Sequence, residues 1–234
     1  KRLAEGKFSA SIVVSGVEGA GKSHFVNLLM EWMDPRGIEV HAFGDPSDEE
    51  RERPRFWRFW RALPPKGKLA VVLGSWYTDP IIDRVFKRMD AAGFEVDLEG
   101  VAEFEEMLDQ EGIQVIKLWM HLGKSDQKKR LKALEEDSDT RWRVTKRDWE
   151  FFKRYDKFRK VSEHALMKTS TARCPWTVIE STDWRYRNLA AVRAIVKALS
   201  DRAEQEAVET PIPKPALPKP KKVKGCNSHH RGGK

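Results

Sequence analysis

The stretch GVEGAGKS, Gly16 to Ser23, decides how the rest of this chain is read. It fits the pattern G-x-x-x-x-G-K-S/T in full, and its surroundings fit too: an apolar run leads in and an amphipathic one leads out. Gly16, Gly19 and Gly21 let the backbone turn tightly, so that successive N–H groups, that of Ala20 among them, converge on anionic oxygens. A helix starting near Lys22 adds the positive end of its dipole. Lys22 brings a point charge to phosphates, and Ser23 can ligate Mg²⁺. Glu18 puts an acid inside the loop. It either holds Mg²⁺ or orients an acceptor oxygen, or it is a solvated turn residue.

Working outward, SASIVVSG (Ser9–Gly16) is short, β-branched and apolar, a buried strand. From Ser23 the period becomes helical, with Phe25, Leu28, Leu29, Trp32 and Met33 on one face, until Asp34, Pro35 and Gly37 stop it. The pattern then predicts a strand over 38–43, a helix over 48–63 closed by Pro64 and Pro65, and a strand over 68–73. Helices follow over 79–92 and 101–110, then the strand IQVIKLWMHL, charged helices over 125–168, the strand PWTVIES and a helix over 186–202. Strands alternating with helices, several of them apolar throughout, predict a doubly wound parallel α/β sheet covered on both faces.

The strand end VVLGSWYTDP (Val71–Pro80) is acid-poor. A phosphate loop ordinarily works with an acid at the end of a neighbouring strand. Here the positions are Leu73, Gly74, Ser75 and Trp76, and Asp79 comes several residues late.

The chain has 234 residues, of which 40% are hydrophobic and 34% charged, as in an ordinary globular protein. No apolar run approaches the ~20 residues of a membrane span, so no membrane role is expected. Two cysteines, Cys174 and Cys226, are too few for a disulfide framework and point to a reducing cytoplasm. The net charge of +8 is concentrated at one end. From Pro211 to Lys234 there are seven Lys or Arg and no acid, which leaves 37 basic and 36 acidic residues elsewhere. Bulk charge therefore gives no reason to expect a nucleic-acid partner. The composition divides the chain into a domain over 1–203 and a Pro/Lys-rich linker or tail over 204–234. Cys226, His229 and His230 lack a fourth ligand for a metal site. The chain begins at Lys1 rather than Met, which suggests a piece of a longer protein.

Two basic features stand out. Arg51, Arg55, Arg58 and Arg61 form one stripe if 48–63 is a single helix. The segment 124–159 places Arg141 and Arg143 around Trp142, with Lys146 and Arg147 close behind. Each reads either as a solvated, salt-bridged helix face or as cations brought to a developing charge by a segment that closes over a site. His121 and His164 read as packing or hydrogen-bonded residues.

Together, GVEGAGKS, RFWRFWRALPPKGKLAVVLGSWY, IKLWMHLGKSDQKKRLKALEEDSDTRWRVTKRDW and TSTARCPWTVIESTDWRYR resemble the polyphosphate kinase 2 family over Phe8 to about Leu199. The resemblance implies a P-loop NTPase-like core with a helical lid, a Mg²⁺ cofactor, and phosphoryl transfer from inorganic polyphosphate to AMP, giving ADP. It implies phosphate contacts at Gly16, Gly19, Ala20, Gly21, Lys22, Ser23 and Arg58, metal contacts at Glu18 and Ser23, and catalytic roles for Lys22, Glu18, Arg141 and Arg143. The chain departs from the family where Glu18 replaces the usual Asp and where Leu73, Gly74 and Asp79 replace an Asp, an Arg and a later Arg. This pattern resembles the first half of two-domain polyphosphate:AMP phosphotransferases, with a similar domain to follow. Three readings stand: a competent polyphosphate-dependent kinase, a noncatalytic polyphosphate-binding or supporting domain, and an ATP-dependent small-molecule kinase. Restoring the acid and the base together (Leu73→Asp with Gly74→Arg) is expected to raise activity. A homo-oligomer is left open.

Overall fold

The computed structural model describes Leu3 and residues 7–209. Residues 204–209 of the expected linker are described, and the rest of it, with Cys226, His229 and His230, lies outside the described residues. Five strands form one sheet: β1 (Ser9–Gly16), β2 (Ile38–Ala42), β3 (Leu69–Leu73), β4 (Ile113–His121) and β5 (Trp176–Glu180). Their order is β2-β3-β1-β4-β5, and every pairing is parallel. β1 is therefore central, and the chain winds first to one side of it and then to the other. In such sheets ligands bind beyond the carboxyl ends of the strands, at the point where the winding reverses. The loop after β1 sits there.

Nine helices cover the sheet among the described residues: α1 (Lys22–Trp32), α2 (Asp48–Arg51), α3 (Trp57–Trp60), α4 (Thr78–Val85), α5 (Ala91–Gln110), α6 (Lys124–Glu136), α7 (Lys146–Lys153), α8 (Tyr155–Thr169) and α9 (Trp184–Glu209). A 3₁₀ turn, Arg141–Arg143, lies between α6 and α7. Side chains alternate along a strand. On β4, Lys117 reaches Glu105 of α5 and Gln114 reaches the Ala198 carbonyl of α9, so these helices lie on opposite faces. The sheet is doubly wound, and with its loop and helices it is a P-loop NTPase-like α/β fold. The core runs through Ile12, Val13, Val14, Val71, Leu118 and Met120. No helix of the described residues is long and apolar enough to cross a membrane.

Several expected boundaries move. The helix expected over 48–63 is two single turns, because Pro54 has no N–H to donate and disfavours helical backbone at Arg53. The arginine stripe dissolves with it. Arg51 pairs with Asp48, Arg55 with Asp97, and Arg61 lies over the Trp57 ring. The helices expected over 79–92 and 101–110 instead divide before Ala91, where Asp90 accepts a hydrogen bond from Gly93 N at 2.7 Å and starts the long α5. The inward face of α1 is Phe25, Val26 and Leu29, while Trp32 is 59% exposed. The last helix runs to Glu209, past the change of composition at Ala203.

Candidate phosphate-binding site

The loop from Gly16 to Ser23 takes the conformation its glycines permit. Gly16, Gly19 and Gly21 all have positive φ (140°, 76° and 82°). A Cβ on Gly16 would stand 2.1 Å from the Met120 carbonyl oxygen, so β4 packs directly against the loop's first residue. Gly21 caps α1, and its carbonyl accepts from Phe25 N at 3.0 Å. Lys22 Nζ donates to the carbonyl oxygens of Gly16 (3.1 Å) and Val17 (3.0 Å) and to Glu18 Oε2 (3.3 Å). The ammonium is thus folded across the loop it serves. Ser23 stands exposed in the first turn of α1, and Ala20 is fully buried.

A cavity of about 230 Å³ opens beside Lys22 and Glu18. Its far walls are apolar: Phe43, Tyr77, Ile81, Trp119, Phe151 and Phe158. Gly74 lines it with backbone alone. Its φ is +68°, and a Cβ there would lie 2.1 Å from the Phe43 carbonyl oxygen. One residue earlier, Leu73 pairs in register with Val14 and Ala42, which fixes the acid-free strand end beside the loop.

The segment between β4 and β5 is larger than a single crossover helix. It is tied down at its base, where Tyr155 Oη donates to the Leu122 carbonyl (3.0 Å) and Lys124 pairs with Asp156 (2.5 Å). Gln127 of α6 donates to the Glu18 carbonyl at 3.0 Å, joining the segment to the loop itself. A capping box between Thr145 and Asp148 starts α7, and Arg147 in its first turn lines the cavity.

The cations named from sequence are placed unequally. Lys22 is in the loop. Arg58 is buried behind Phe43, donating to the Gly44 carbonyl at 2.8 Å, with its guanidinium carbon 4.8 Å from the Phe43 ring centre. Arg141 and Arg143 sit exposed on the 3₁₀ turn beside Trp142, which is 70% exposed, and neither lines the cavity. Arg147 does line it; the sequence named it among these cations but gave the catalytic roles to Arg141 and Arg143. Asp79 lies outside the cavity lining. Burial pushes its carboxyl up, against the pull of Arg58, with Asp83 and Asp45 adding to the rise. His164 pairs with Glu95, a bond between helices rather than a site.

Beneath the strand end lies a buried polar network. Lys117 Nζ donates to Glu105 Oε2 (2.6 Å), to Tyr77 Oη (3.1 Å) and to the Thr169 carbonyl (2.8 Å), while Trp76 Nε1 and Tyr77 Oη both donate to Glu105 Oε1. Burial first, and the Glu105 charge second, push the Tyr77 hydroxyl well above its usual value, so it stays a donor. Trp76 and Tyr77 are thereby pinned from below.

Among the described residues no three His, Cys, Asp or Glu cluster as a metal cage. Mg²⁺ in phosphate sites takes only one or two protein oxygens, with substrate phosphates and water completing its shell. The oxygens the loop offers to such an ion are the Glu18 carboxylate, half-exposed and paired with Lys22, and the hydroxyl of the exposed Ser23.

Comparison with known proteins agrees with this geometry. The family model described as Polyphosphate kinase 2 (PPK2) matches residues 1–207. A polyphosphate:AMP phosphotransferase of Pseudomonas aeruginosa is 41% identical over 214 residues, covering 89% of this chain but 43% of that protein. An AMP/ADP-polyphosphate phosphotransferase of Meiothermus ruber is 29% identical over 202 residues, covering 86% of this chain and 76% of that one. The crystal structure of polyphosphate kinase 2 from Arthrobacter aurescens superposes with a TM-score of 0.82 at 28% identity, over 93% of this chain and 76% of that one. The chain spans less than half the length of the polyphosphate:AMP phosphotransferases it matches. With a family match over nearly all its described residues and a phosphate loop at the centre of its sheet, this chain belongs to the polyphosphate kinase 2 family.

Proposed function

We propose that this chain is the phosphate-binding first half of a cytoplasmic, Mg²⁺-dependent enzyme that moves a terminal phosphoryl group from polyphosphate to AMP, with a second, similar domain following it. The transfer breaks the terminal P–O–P bond of the polyphosphate and forms a new one to an AMP phosphate oxygen, giving ADP and a chain one phosphate shorter. The amides of Gly19 to Ser23 hold phosphate oxygens, and Lys22 swings from the Gly16 and Val17 carbonyls onto them. Glu18 and Ser23 would hold Mg²⁺, which neutralises charge on the phosphate oxygens when bound. Arg147 at the cavity wall adds positive charge, and Arg141 and Arg143 reach the phosphates when the helical segment closes down. Arg58 acts from behind Phe43, through the position of that ring.

One observation carries the division of labour. The loop is complete, but the neighbouring strand end offers Leu73 and a Gly74 pressed against the Phe43 carbonyl, with no acid and no base. This half therefore binds phosphate chains and turns them over weakly on its own. Incubating the chain with polyphosphate, Mg²⁺ and AMP tests it. Binding with little ADP supports the reading. Fast ADP formation lost in Lys22→Ala would make this half a competent kinase. Turnover that requires ATP and ignores polyphosphate would make it a small-molecule kinase.

A further inference from the structure

Arg187, in the first turns of α9, is completely buried and is the largest side chain so enclosed among the described residues. Its guanidinium sits directly behind the phosphate loop. Nη1 donates to the Ala20 carbonyl at 3.1 Å, and Nη2 lies 3.2 Å from His24 Nδ1. Nε and Nη2 both donate to Asn188 Oδ1, at 3.1 and 3.0 Å. A Cβ on Gly21 would lie 2.0 Å from Nη1, so the glycine before Lys22 is also the seat of this arginine.

Two consequences follow from that placement. The carbonyl of Ala20 and the N–H of Gly21 belong to one trans peptide and point in opposite directions. By holding the carbonyl behind the loop, Arg187 turns the Gly21 N–H toward the ligand side. The second consequence is charge. No carboxylate of the described residues lies within ion-pair distance of Arg187. Its acceptors are a carbonyl, an amide oxygen and an imidazole, all neutral. Arg130 of α6, another cation at the loop, packs its Cγ 3.8 Å from the Cβ position of Gly19 and also has no carboxylate partner among the described residues. Burial, then the nearness of Arg130, lowers the Arg187 pKa, so the two cations oppose each other across the loop. A buried charge without a counter-ion is costly to a fold, and an anion on the far side of a thin glycine loop offsets that cost.

We propose that Arg187 is a positioning residue for oligophosphate binding: it aims the Gly21 N–H and supplies, from behind the loop, a positive charge whose counter-ion is the bound phosphate chain. This rests on the phosphate-binding reading of the loop.

Asn188→Asp tests it with little disturbance. The acceptor stays in place, the orphaned Asn188 Nδ2 donor disappears, and Arg187 gains a carboxylate. The thermal midpoint should hold or rise, while affinity for tripolyphosphate falls about tenfold, as expected when a charge a few ångströms from the anion is neutralised. Arg187→Gln, which removes the charge without adding one, should show the same fall in a folded protein by circular dichroism. If Arg187 only props the fold, pairing it leaves affinity unchanged. Wild-type affinity in Asn188→Asp, or in folded Arg187→Gln, overturns the proposal. A wild-type chain that fails to bind tripolyphosphate overturns the phosphate reading itself, and this inference with it.

Discussion

The carbonyl oxygen of Phe43 lies 2.1 Å from the point where a side chain on Gly74 would begin. The backbone there also has positive φ, so a larger residue meets both strain and collision. The glycine at this strand end, where the family resemblance expects a base, is thus built into the packing of the β3 end against the β2 end.

This changes what restoration can achieve. Gly74→Arg should destabilise the fold by about 2–4 kcal/mol, read as a lower urea midpoint. The double replacement expected from family resemblance to raise activity inherits that cost. Leu73→Asp alone, at a half-buried position beside the loop, should fold with a loss of about 1–2 kcal/mol and raise ADP formation. A double variant as stable as wild type would show that the Phe43 carbonyl yields readily.

Lys117 and Glu105 form an ion pair at 2.6 Å with side chains 0% and 3% exposed. Removing one partner strands a buried charge. Glu105→Ala should cost about 3–5 kcal/mol in chemical denaturation, and Glu105→Gln with Lys117→Met should recover much of it. If Glu105→Ala denatures like wild type, the network does not hold the Trp76-Tyr77 turn.

His24 faces Arg187, Arg130 and Arg143. Burial first, then the Arg187 and Arg130 charges, keep its pKa below the usual imidazole value of 6.5, against a weaker upward pull from Glu31. The folded state therefore favours neutral His24. Its stabilising contribution is present above pH 6.5 and is lost as pH falls from there through the folded pKa. NMR titration should find His24 below 6.5, and Asn188→Asp should move it upward by neutralising Arg187. No upward movement would separate His24 from the Arg187 charge.

Gln127 is buried and joins α6 to the Glu18 carbonyl. Gln127→Ala should cost about 1–2 kcal/mol and weaken tripolyphosphate binding, because the loop loses its tie to the helical segment. Unchanged binding would confine Gln127 to packing.

The sequence made the loop and all five strands legible because their signals are local: glycine spacing at Gly16, Gly19 and Gly21, and β-branched runs such as Ile12-Val13-Val14. It misled over 48–63, where helical spacing of arginines was projected across Pro54. It named Arg147 beside Arg141 and Arg143 but gave the catalytic roles to those two, because spacing along the chain does not show which of these cations lines the cavity. Arg187 ends the stretch TSTARCPWTVIESTDWRYR, but nothing in that stretch shows where its guanidinium goes. Its partner Ala20 lies 167 positions away, and such an arginine looks like any other until the fold brings α9, packed on β4 and β5, to the loop after β1.

Parallel measurement of tripolyphosphate binding and of ADP formation from polyphosphate and AMP with Mg²⁺, on this chain and on its full-length protein, tests the central claim most directly. Binding by this chain, abolished by Lys22→Ala, with turnover about a hundredfold or more below that of the full-length protein, is the predicted result. Full-length turnover rates from this chain alone, or no binding of tripolyphosphate, would contradict the account.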